Sequence, residues 1–269
     1  MPERRLLLVL VAFHPRLEEV ERLGKCLEAL ESDVGYAVVV NDYFPGEFVE
    51  RLRAKADFFL TTTQNLGYGR AVNLAWRECL LRSASSVVPL PRWLGALNTD
   101  LTWPPGTFMT MISWLNRHPE VVLAVPQIRN PSGEVQKLCK RNPSLLALFS
   151  RRFVPEWLKL RSLKHYDQRY VMADEDYDQP IEASYLSGCC MVISMQAFEC
   201  IGGFDERFFL YLEDADLTRS LARLGRTLHL PFAYVTHSWG RGNHGNLKLT
   251  LVNLQSVWIY FAKWGWKIW

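Results

Sequence analysis

Three carboxylates fall within four positions of this sequence, directly after the bulky apolar run at 208–212. They are Glu213, Asp214 and Asp216. Like charges this close repel each other, and carboxylates beside apolar side chains lose hydration, so a cation, a proton or a substrate group must relieve them. Asp100 upstream and His237 downstream could supply further oxygen and nitrogen ligands. The combination predicts a cation-dependent active site.

Asp214 is the candidate general base, which would take a proton from an acceptor hydroxyl as that oxygen attacks. Leu217, Leu221 and Leu224 follow helical spacing, so a helix is predicted over 212–224 with Asp214 in its first turn. The helix dipole favours negative charge there. Acidic residues are also common in first turns without a catalytic role, and this alternative stays open. Neighbouring carboxylates would raise the proton affinity of Asp214, and a nearby dication would lower it.

Asp100 ends the triplet Asn98-Thr99-Asp100, which follows a predicted strand at 94–97. We expect Asp100 to coordinate Mg²⁺ or Mn²⁺, because such ions bind through one or two carboxylates together with substrate phosphates. The metal would neutralise a diphosphate leaving group. His237 follows a short apolar strand and is the second predicted ligand, through a neutral ring nitrogen. The alternatives are an Asx turn for the triplet and a purely structural histidine.

The elements that must position these residues alternate between strands and helices. Continuous apolar runs predict strands at 6–13, 36–40, 58–60, 94–97, 121–125 and 191–194, and helical patterns occupy 17–30, 48–56 and 70–81. Strands without in/out alternation indicate a parallel sheet that is covered on both faces. Ligands bind such sheets at the carboxyl ends of the strands, where Asn41, Asp42, Asn65 and Asp100 fall. The predicted fold class is therefore α/β.

Two loops could contact a nucleotide. In the loop at 65–70, Asn65 and Gly67 would let backbone amides approach a ligand closely, and Arg70 would add a positive charge. This loop matches neither the Rossmann GxGxxG pattern nor a Walker A loop. The second loop, at 240–245, offers Arg241 to a phosphate.

Composition narrows the possible functions. The chain has 269 residues, of which 49% are hydrophobic and 22% are charged, as in soluble globular proteins. A net charge of +3 does not indicate nucleic acid. The six cysteines form no CxxC pair and predict reduced thiols in a cytoplasmic protein, with adjacent Cys189 and Cys190 as packing residues. No run is long enough for a transmembrane helix, and 6–13 is interpreted as a strand rather than a signal peptide.

Residues 6–240 resemble GT-A glycosyltransferases of family 2, close to the bacterial rhamnosyltransferase-like branch. The most specific part is 202–217, followed by Pro231 and His237, with the 65–67 loop, Asn73 and the 98–100 triplet in the expected order. The resemblance implies a GT-A, Rossmann-like sheet and inverting transfer from a nucleotide-diphosphate sugar. Asp100 and His237 would bind the metal and Asp214 would be the base.

The same resemblance implies uracil or thymine contacts after the first two strands. The nucleotide-sugar residues would be Phe13, Asn41, Asp42, Asn65, Gly67, Arg70, Asn98, Asp100 and Arg241, and the acceptor-side or supporting residues would be Ser187, Gly188, Asp205, Glu213 and Asp216. Two departures are visible. The family usually has an acidic residue before Asn, whereas here Asn41 precedes Asp42, and Thr99 replaces the family's frequent Pro or Asp.

We expect one catalytic domain over 1–245, with a nucleotide-sugar half at about 1–125 and an acceptor half at about 126–245. Within the second half, 137–182 is basic and then acidic, which predicts a mobile insertion or an acceptor-facing loop whose basic residues meet phosphate. Residues 246–269 predict an aromatic and basic helix. It would either lie at a membrane surface, on the inner face of the cytoplasmic membrane, or pack on the domain itself.

The resulting prediction is a metal-dependent inverting glycosyltransferase with a UDP- or dTDP-sugar donor, L-rhamnose being the first choice. The acceptor would be a bacterial surface glycan, such as an O-antigen, or a polyprenyl-diphosphate-linked sugar. The alternatives are a non-catalytic carbohydrate- or assembly-binding module with the same fold, and a nucleotidyltransferase that releases pyrophosphate. A glycosidase is disfavoured because the adjacent Glu213 and Asp214 cannot flank one bond as a separated pair.

Overall fold

A computed structural model describes residues 4–85, 89–238 and 247–269. Within these residues one sheet contains the strands β1 (Leu6–Ala12), β2 (Val34–Val40), β3 (Phe58–Thr61), β4 (Trp93–Asn98), β5 (Leu101–Thr102), β6 (Val121–Arg129), β7 (Ile181–Glu182), β8 (Cys190–Ser194) and β9 (Arg226–His237). The α-helices are α1 (Leu17–Glu28), α2 (Tyr68–Ala84), α3 (Thr107–Leu115), α4 (Leu145–Phe153), α5 (Arg161–Tyr170), α6 (Met195–Ile201), α7 (Glu213–Leu221) and α8 (Leu247–Trp264). Short 3₁₀ helices occupy Phe48–Lys55 and Glu156–Leu158.

The strand order is β3-β2-β1-β4-β8-β6-β9-β5, and β7 pairs with β9. β3, β2, β1 and β4 are mutually parallel, and β6 is parallel to β9. β8 runs antiparallel between β4 and β6, so β1, β2, β3, β4, β6 and β9 all point the same way. The predicted α/β class with a mostly parallel sheet is confirmed.

The sheet is covered on both faces, which explains the unbroken apolar runs. In β1, Leu6, Leu8 and Leu10 enter one buried cluster, whereas Leu7 and Val9 enter another. Because alternate residues of a strand point to opposite faces, a strand between two helical layers must be apolar at every position. Because β1, β2 and β4 are parallel, their carboxyl ends lie at one edge of the sheet.

The segment 137–182 forms α4, α5 and the intervening 3₁₀ helix rather than a long loop. The buried Asp167 joins its parts, because its Oδ2 accepts hydrogen bonds from Ser150 Oγ and from Lys159 Nζ, each at 2.7 Å. Ser144 caps α4 by accepting a bond from the backbone N–H of Ala147 at 3.2 Å. The sequence did not predict these helices, or α3 and α6, and 48–56 is 3₁₀ rather than α-helical.

One face of α8 packs against the domain. Tyr260 and Phe261 are buried with Phe208, Leu212 and Ala215 in a third apolar cluster. The backbone carbonyls of Lys267 and Ile268 accept hydrogen bonds from Leu145 and Leu146, so the C-terminal tail also holds the start of α4. In the part of the chain that the structure describes, no helix is long and apolar enough to cross a membrane.

Candidate active site

Pairing of β5 with β9 brings Asp100 and His237 together. Leu101 lies opposite His237 in this antiparallel pair, and the backbone N–H of Ser238 donates to the carbonyl of Asp100 at 3.1 Å. His237 Nε2 lies 3.1 Å from Asp100 Oδ2. The two predicted metal ligands are therefore adjacent in space, although 137 positions separate them in the sequence.

The chemistry of this pair suits a divalent cation. Asp100 Oδ1 is buried and has no hydrogen-bond partner among the described residues. A buried carboxylate oxygen without a partner is costly, and a cation would relieve that cost. Within those residues no group of three His, Cys, Asp or Glu side chains could hold a metal by itself. The pair therefore fits a metal whose remaining ligands include the phosphate oxygens of a substrate.

Two backbone amides orient the carboxylate of Asp214. Gly188 N donates to Oδ2 at 3.0 Å and Ala215 N donates to Oδ1 at 2.9 Å. A Cβ atom at position 188 would lie 2.9 Å from the Cβ of Asp214, so only glycine allows this close approach. Gly188 is itself held in place, because Tyr68 Oη donates to its carbonyl at 2.8 Å.

The backbone is strained immediately before the carboxylates. Tyr211 and Leu212 have φ values of 71° and 64°, in the left-handed region that non-glycine residues rarely adopt. Each such residue costs about 1–3 kcal/mol and persists only when its surroundings hold it. Leu212 is buried in the third apolar cluster, which supplies that support and directs the first turn of α7 toward Gly188.

The carboxyl group of Glu213 lies in a different environment from that of Asp214, both of whose oxygens accept hydrogen bonds. Its side chain is buried, and its Oε2 has no hydrogen-bond partner among the described residues. Burial, and secondarily the charge of Asp214, raises the pKa of Glu213 to about 8. Glu213 is therefore largely protonated at neutral pH, which removes one of the three like charges that the sequence places together.

We expect Glu213→Gln to stabilise the protein increasingly as pH rises. Because the folded-state pKa lies above the unfolded value, the wild type loses stability as pH rises from about 4.5 to about 8, whereas glutamine does not titrate. The free energies of unfolding of the variant and the wild type should differ by on the order of 5 kcal/mol at pH 9 and be nearly equal near pH 4. Chemical denaturation at several pH values measures it.

The control is Asp205→Asn. Hydrogen bonds from Arg207 lower the pKa of Asp205, so this variant should destabilise the protein at neutral pH and lose its effect in acid. If the free energies of unfolding of Glu213→Gln and the wild type differ by the same amount from pH 4 to pH 9, the protonated state of Glu213 is contradicted.

The candidate base-binding surface lies beyond β1 and β2. Asn41 is buried, and its side chain accepts from Leu66 N at 3.2 Å and donates to the Gly67 carbonyl at 3.4 Å. Asp42 is half-exposed, with a carboxylate oxygen 3.2 Å from His14 Nε2. Phe13 is 52% exposed, and its ring centroid lies 4.5 Å from that of His14. Asn41 thus holds the 65–67 loop, and Phe13 and Asp42 are accessible to a ligand.

The 65–70 loop packs against the segment that precedes the carboxylates. Gly67 has a φ of 83°, and a Cβ there would clash with the carbonyl oxygen of Phe209. Asn65 Oδ1 accepts from Gly67 N at 2.9 Å, and Arg70 Nε donates to the carbonyl of Glu206 at 2.6 Å. These contacts hold α2 against the 202–212 segment. Asn65, Gly67 and Arg70, which were predicted to bind the nucleotide, therefore all have partners within the protein. Arg241, the remaining loop prediction, lies outside the described residues.

Asp205 and Asp216 contact α8 instead of an open cavity. Lys263 Nζ lies 3.0 Å from Asp205 and 2.8 Å from Asp216, and Trp264 Nε1 donates to Asp216 at 2.7 Å. Neither aspartate lines the two cavities beside Asp214. Of the two predicted roles, acceptor-side or supporting, the contacts of Asp205 and Asp216 favour the supporting one, because both residues anchor the C-terminal helix.

A cavity of about 390 Å³ is lined by both His237 and the candidate base Asp214, whereas Asp100, which contacts His237, is not part of its lining. The cavity is lined by Asn98, Ser187, Gly188, Glu213, Asp214 and His237, which the sequence predicted as site residues. Lys140 and Arg151 also line it and come from the basic stretch, for which a phosphate-facing loop was one of two predicted alternatives, whereas Tyr68 and Tyr211 were not predicted. Cys189 also lines it, and burial raises the pKa of its thiol to about 12, which disfavours the thiolate that a nucleophile needs. The basic part of the segment 137–182 was the signal in the sequence for these two cations.

A scan against known protein families finds no match. Among characterised proteins the chain is similar to the N-acetylglucosaminyl-diphospho-decaprenol L-rhamnosyltransferases of two Mycobacterium tuberculosis strains. The identity is 32% over 181 residues, which cover 66% of this chain and 57% of each relative. The chain thus matches little more than half the length of these relatives.

Solved structures of low sequence identity share the fold. GalNAc-T7 with UDP, GalNAc and Mn²⁺ has a TM-score of 0.65 at 11% identity, covering 97% of this chain and 48% of that protein. The mannosyltransferase PcManGT from Pyrobaculum calidifontis, with GDP-Man and Mn²⁺, scores 0.59 at 14% identity, covering 97% and 64%. S. aureus TarS 1–349 scores 0.56 at 14%, covering 87% and 60%. This chain therefore has the GT-A glycosyltransferase fold, and over 181 residues it is homologous to mycobacterial L-rhamnosyltransferases.

Proposed function

We propose that this protein transfers a sugar from a nucleotide-diphosphate sugar to a hydroxyl group of a glycan acceptor. The observation that supports this most directly is the placement of His237, next to Asp100, and of Asp214 around one cavity of about 390 Å³. A metal-ligand pair at a leaving diphosphate and a carboxylate at an incoming hydroxyl are the two groups that such a transfer needs.

Asp214 accepts the proton of the acceptor hydroxyl as that oxygen bonds to the anomeric carbon of the donor sugar. The bond between the anomeric carbon and the diphosphate oxygen breaks, and its electron pair leaves with the nucleoside diphosphate. A divalent metal on Asp100 and His237 would neutralise that diphosphate. One base and direct attack give inversion at the anomeric carbon, and Gly188 N and Ala215 N hold the base in orientation.

For the donor we propose dTDP-L-rhamnose, with a UDP-sugar as the alternative. The mycobacterial relatives are named L-rhamnosyltransferases. Phe13 and Asp42 are the accessible side chains at the carboxyl ends of β1 and β2, where an aromatic ring and a carboxylate could stack on and accept a hydrogen bond from a pyrimidine. Of Asn41 and Asp42, Asp42 is therefore the candidate for contacting the base.

For the acceptor we propose a sugar linked through a diphosphate to a polyprenyl chain. The relatives are named for N-acetylglucosaminyl-diphospho-decaprenol, and the first acceptor to test is N-acetylglucosamine carried by a short polyprenyl diphosphate.

The deciding experiment incubates the protein with this acceptor, Mn²⁺ or Mg²⁺, and a panel of dTDP- and UDP-sugars. Release of the nucleoside diphosphate, with inverted anomeric configuration of the product by NMR, is the expected result. Pyrophosphate release from a nucleoside triphosphate would indicate a nucleotidyltransferase. Binding of sugar nucleotides without turnover would indicate the non-catalytic module, and either result would overturn the proposal.

We also propose that the outer face of α8 contacts an anionic lipid surface. Leu251 and Trp258 are 67% and 65% exposed, whereas Tyr260 and Phe261 of the same helix are buried. Lys267 follows in the exposed tail, and its positive charge complements anionic headgroups. Aromatic and aliphatic side chains with flanking lysines are typical of helices that lie in the membrane interface.

Charge placed on this face should abolish lipid binding. We expect Leu251→Glu together with Trp258→Glu to reduce flotation with phosphatidylglycerol–phosphatidylethanolamine vesicles at least tenfold, because carboxylates oppose both apolar insertion and the anionic surface. Leu81→Glu is the matched control, since Leu81 is 65% exposed on α2, away from this face. Equal flotation of both variants, or none by the wild type, would remove the membrane contact.

A further inference from the structure

A second cavity, of about 270 Å³, adjoins Asp214. Its lining includes Lys140, Arg151 and Arg152, the aromatic Tyr185, and Asn253 from α8, together with Asp214 itself. It shares Lys140, Arg151 and Asp214 with the larger cavity but does not reach His237. Asp214 is thus accessible from a second compartment that lies away from the metal-ligand pair.

Three positive charges share this compartment with the carboxyl groups of Asp214 and Glu213. None of Lys140, Arg151 and Arg152 forms an ion pair with a carboxylate of the described residues. Lys140 Nζ lies 4.1 Å from the centre of the Tyr185 ring, and burial lowers the pKa of this lysine, although the charge of Asp214 opposes the shift. Lys140 and Arg152 are partly buried, whereas Arg151 is exposed. Cations gathered without ion pairs are favourable when a ligand supplies the anion.

The arginines are carried by a braced helix. α4 is held to α5 through the hydrogen bond of Ser150 to Asp167 and to the C-terminal tail through the backbone amides of Leu145 and Leu146. Arg152 also donates to Thr250 Oγ1 of α8 at 2.8 Å. A bound anion would therefore meet the guanidinium group of Arg152 already in position, and a planar guanidinium matches phosphate oxygens in paired hydrogen bonds.

We infer that Lys140, Arg151 and Arg152 bind the diphosphate of a lipid-linked acceptor, so that the acceptor sugar presents its hydroxyl to Asp214. This inference rests on the proposed function. It separates the two diphosphates of the reaction, because the donor's lies at Asp100 and His237 and the acceptor's lies in the basic compartment. Acceptors would then be selected by their anionic linker as well as by their sugar.

Arg152 gives the sharpest test, because it lines the second cavity but not the first. The assay compares an acceptor sugar on a short polyprenyl diphosphate with the same sugar on an uncharged alkyl chain. We expect Arg152→Gln to raise KM for the diphosphate acceptor by roughly 10- to 100-fold, the effect of losing a charge-assisted hydrogen bond. KM for the sugar nucleotide and for the neutral acceptor should stay within twofold, and Arg152→Lys should recover part of the loss.

Arg161→Gln is the matched control, since it removes the same charge from the exposed start of α5, outside both cavities. Equal losses for the two acceptors in Arg152→Gln, or no preference of the wild type for the diphosphate acceptor, would overturn the inference and leave the proposed function intact. If the wild type transfers no sugar at all, calorimetry with geranyl diphosphate on the UDP-saturated protein still tests whether the basic site binds a diphosphate. Binding that Arg152→Gln weakens supports the basic site, and no binding removes it.

Discussion

Asp214→Asn should lower kcat for sugar transfer by roughly 10²- to 10⁴-fold, the usual contribution of a positioned general base. Asparagine keeps the size of the side chain, and its carbonyl oxygen can still accept a hydrogen bond from Gly188 N, which is 3.0 Å away in the native protein. It cannot accept the proton of the acceptor hydroxyl. KM for the sugar nucleotide should change little, because Asp214 does not touch the predicted nucleotide surface. Steady-state kinetics with both substrates varied measures these constants.

The matched control is Asp178→Asn, the same change at an exposed position in the acidic stretch. It should keep wild-type kcat. Retention of more than a tenth of the activity by Asp214→Asn would place the base elsewhere. An inactive wild type that binds sugar nucleotides, with Asp214→Asn binding equally well, would favour the non-catalytic module.

Asp100→Ala should abolish the metal-dependent binding of nucleoside diphosphates. The variant removes both the oxygen that faces His237 and the buried oxygen that has no partner among the described residues. In the wild type, UDP or dTDP with Mn²⁺ at a hundred times the dissociation constant should add about 2.7 kcal/mol to the free energy of unfolding. Neither EDTA-treated wild type nor Asp100→Ala should show this gain. Thermal shift and calorimetry over a panel of nucleotides measure both effects.

Asp42→Ala separates the base contact from the metal contact. It should weaken nucleotide binding and reduce discrimination among bases, while the ratio of affinities with Mn²⁺ and with EDTA stays as in the wild type. Nucleotide binding by Asp100→Ala that still depends on Mn²⁺ would contradict the assignment of the metal to Asp100 and His237. Metal-independent binding by the wild type would contradict a metal site of any kind in donor recognition.

The strands and their order along the chain could be predicted from the sequence, because a strand buried between two helical layers is an uninterrupted run of apolar residues. The continuous apolar runs 6–13, 36–40 and 94–97 correspond to β1, β2 and β4 within two residues at each end. Parallel strands end at one edge of a sheet, so the positions of Asp42 and Asp100 just after their strands are enough to predict that both lie at that edge. The helix that begins near Asp214 was predictable for a similar reason, from the spacing of its leucines.

Helices in the segment 137–182 were not predictable, because their stabilising contacts are long-range. Asp167 binds Ser150 and Lys159, and the tail residues Lys267 and Ile268 hold α4. The amphipathic pattern of α5 is mostly polar, so composition alone indicated a solvated loop. Such a segment becomes ordered through partners that a local pattern does not contain.

By itself, the sequence determined the fold class, the edge of the sheet at which we propose that the chemistry occurs, and the residue types available there, since these follow from periodicity and from side-chain chemistry. Only the tertiary structure decided which polar residues face a ligand and which face the protein. In the fold, Asp216 bonds to Lys263 and Trp264, and Arg70 bonds to Glu206. Asn41 bonds to the 65–67 loop, and Lys140 lines the same cavity as Asp214. The physical reason is that a charge or an amide is satisfied by whichever group the fold brings within about 3 Å, and that choice depends on residues far apart in the chain.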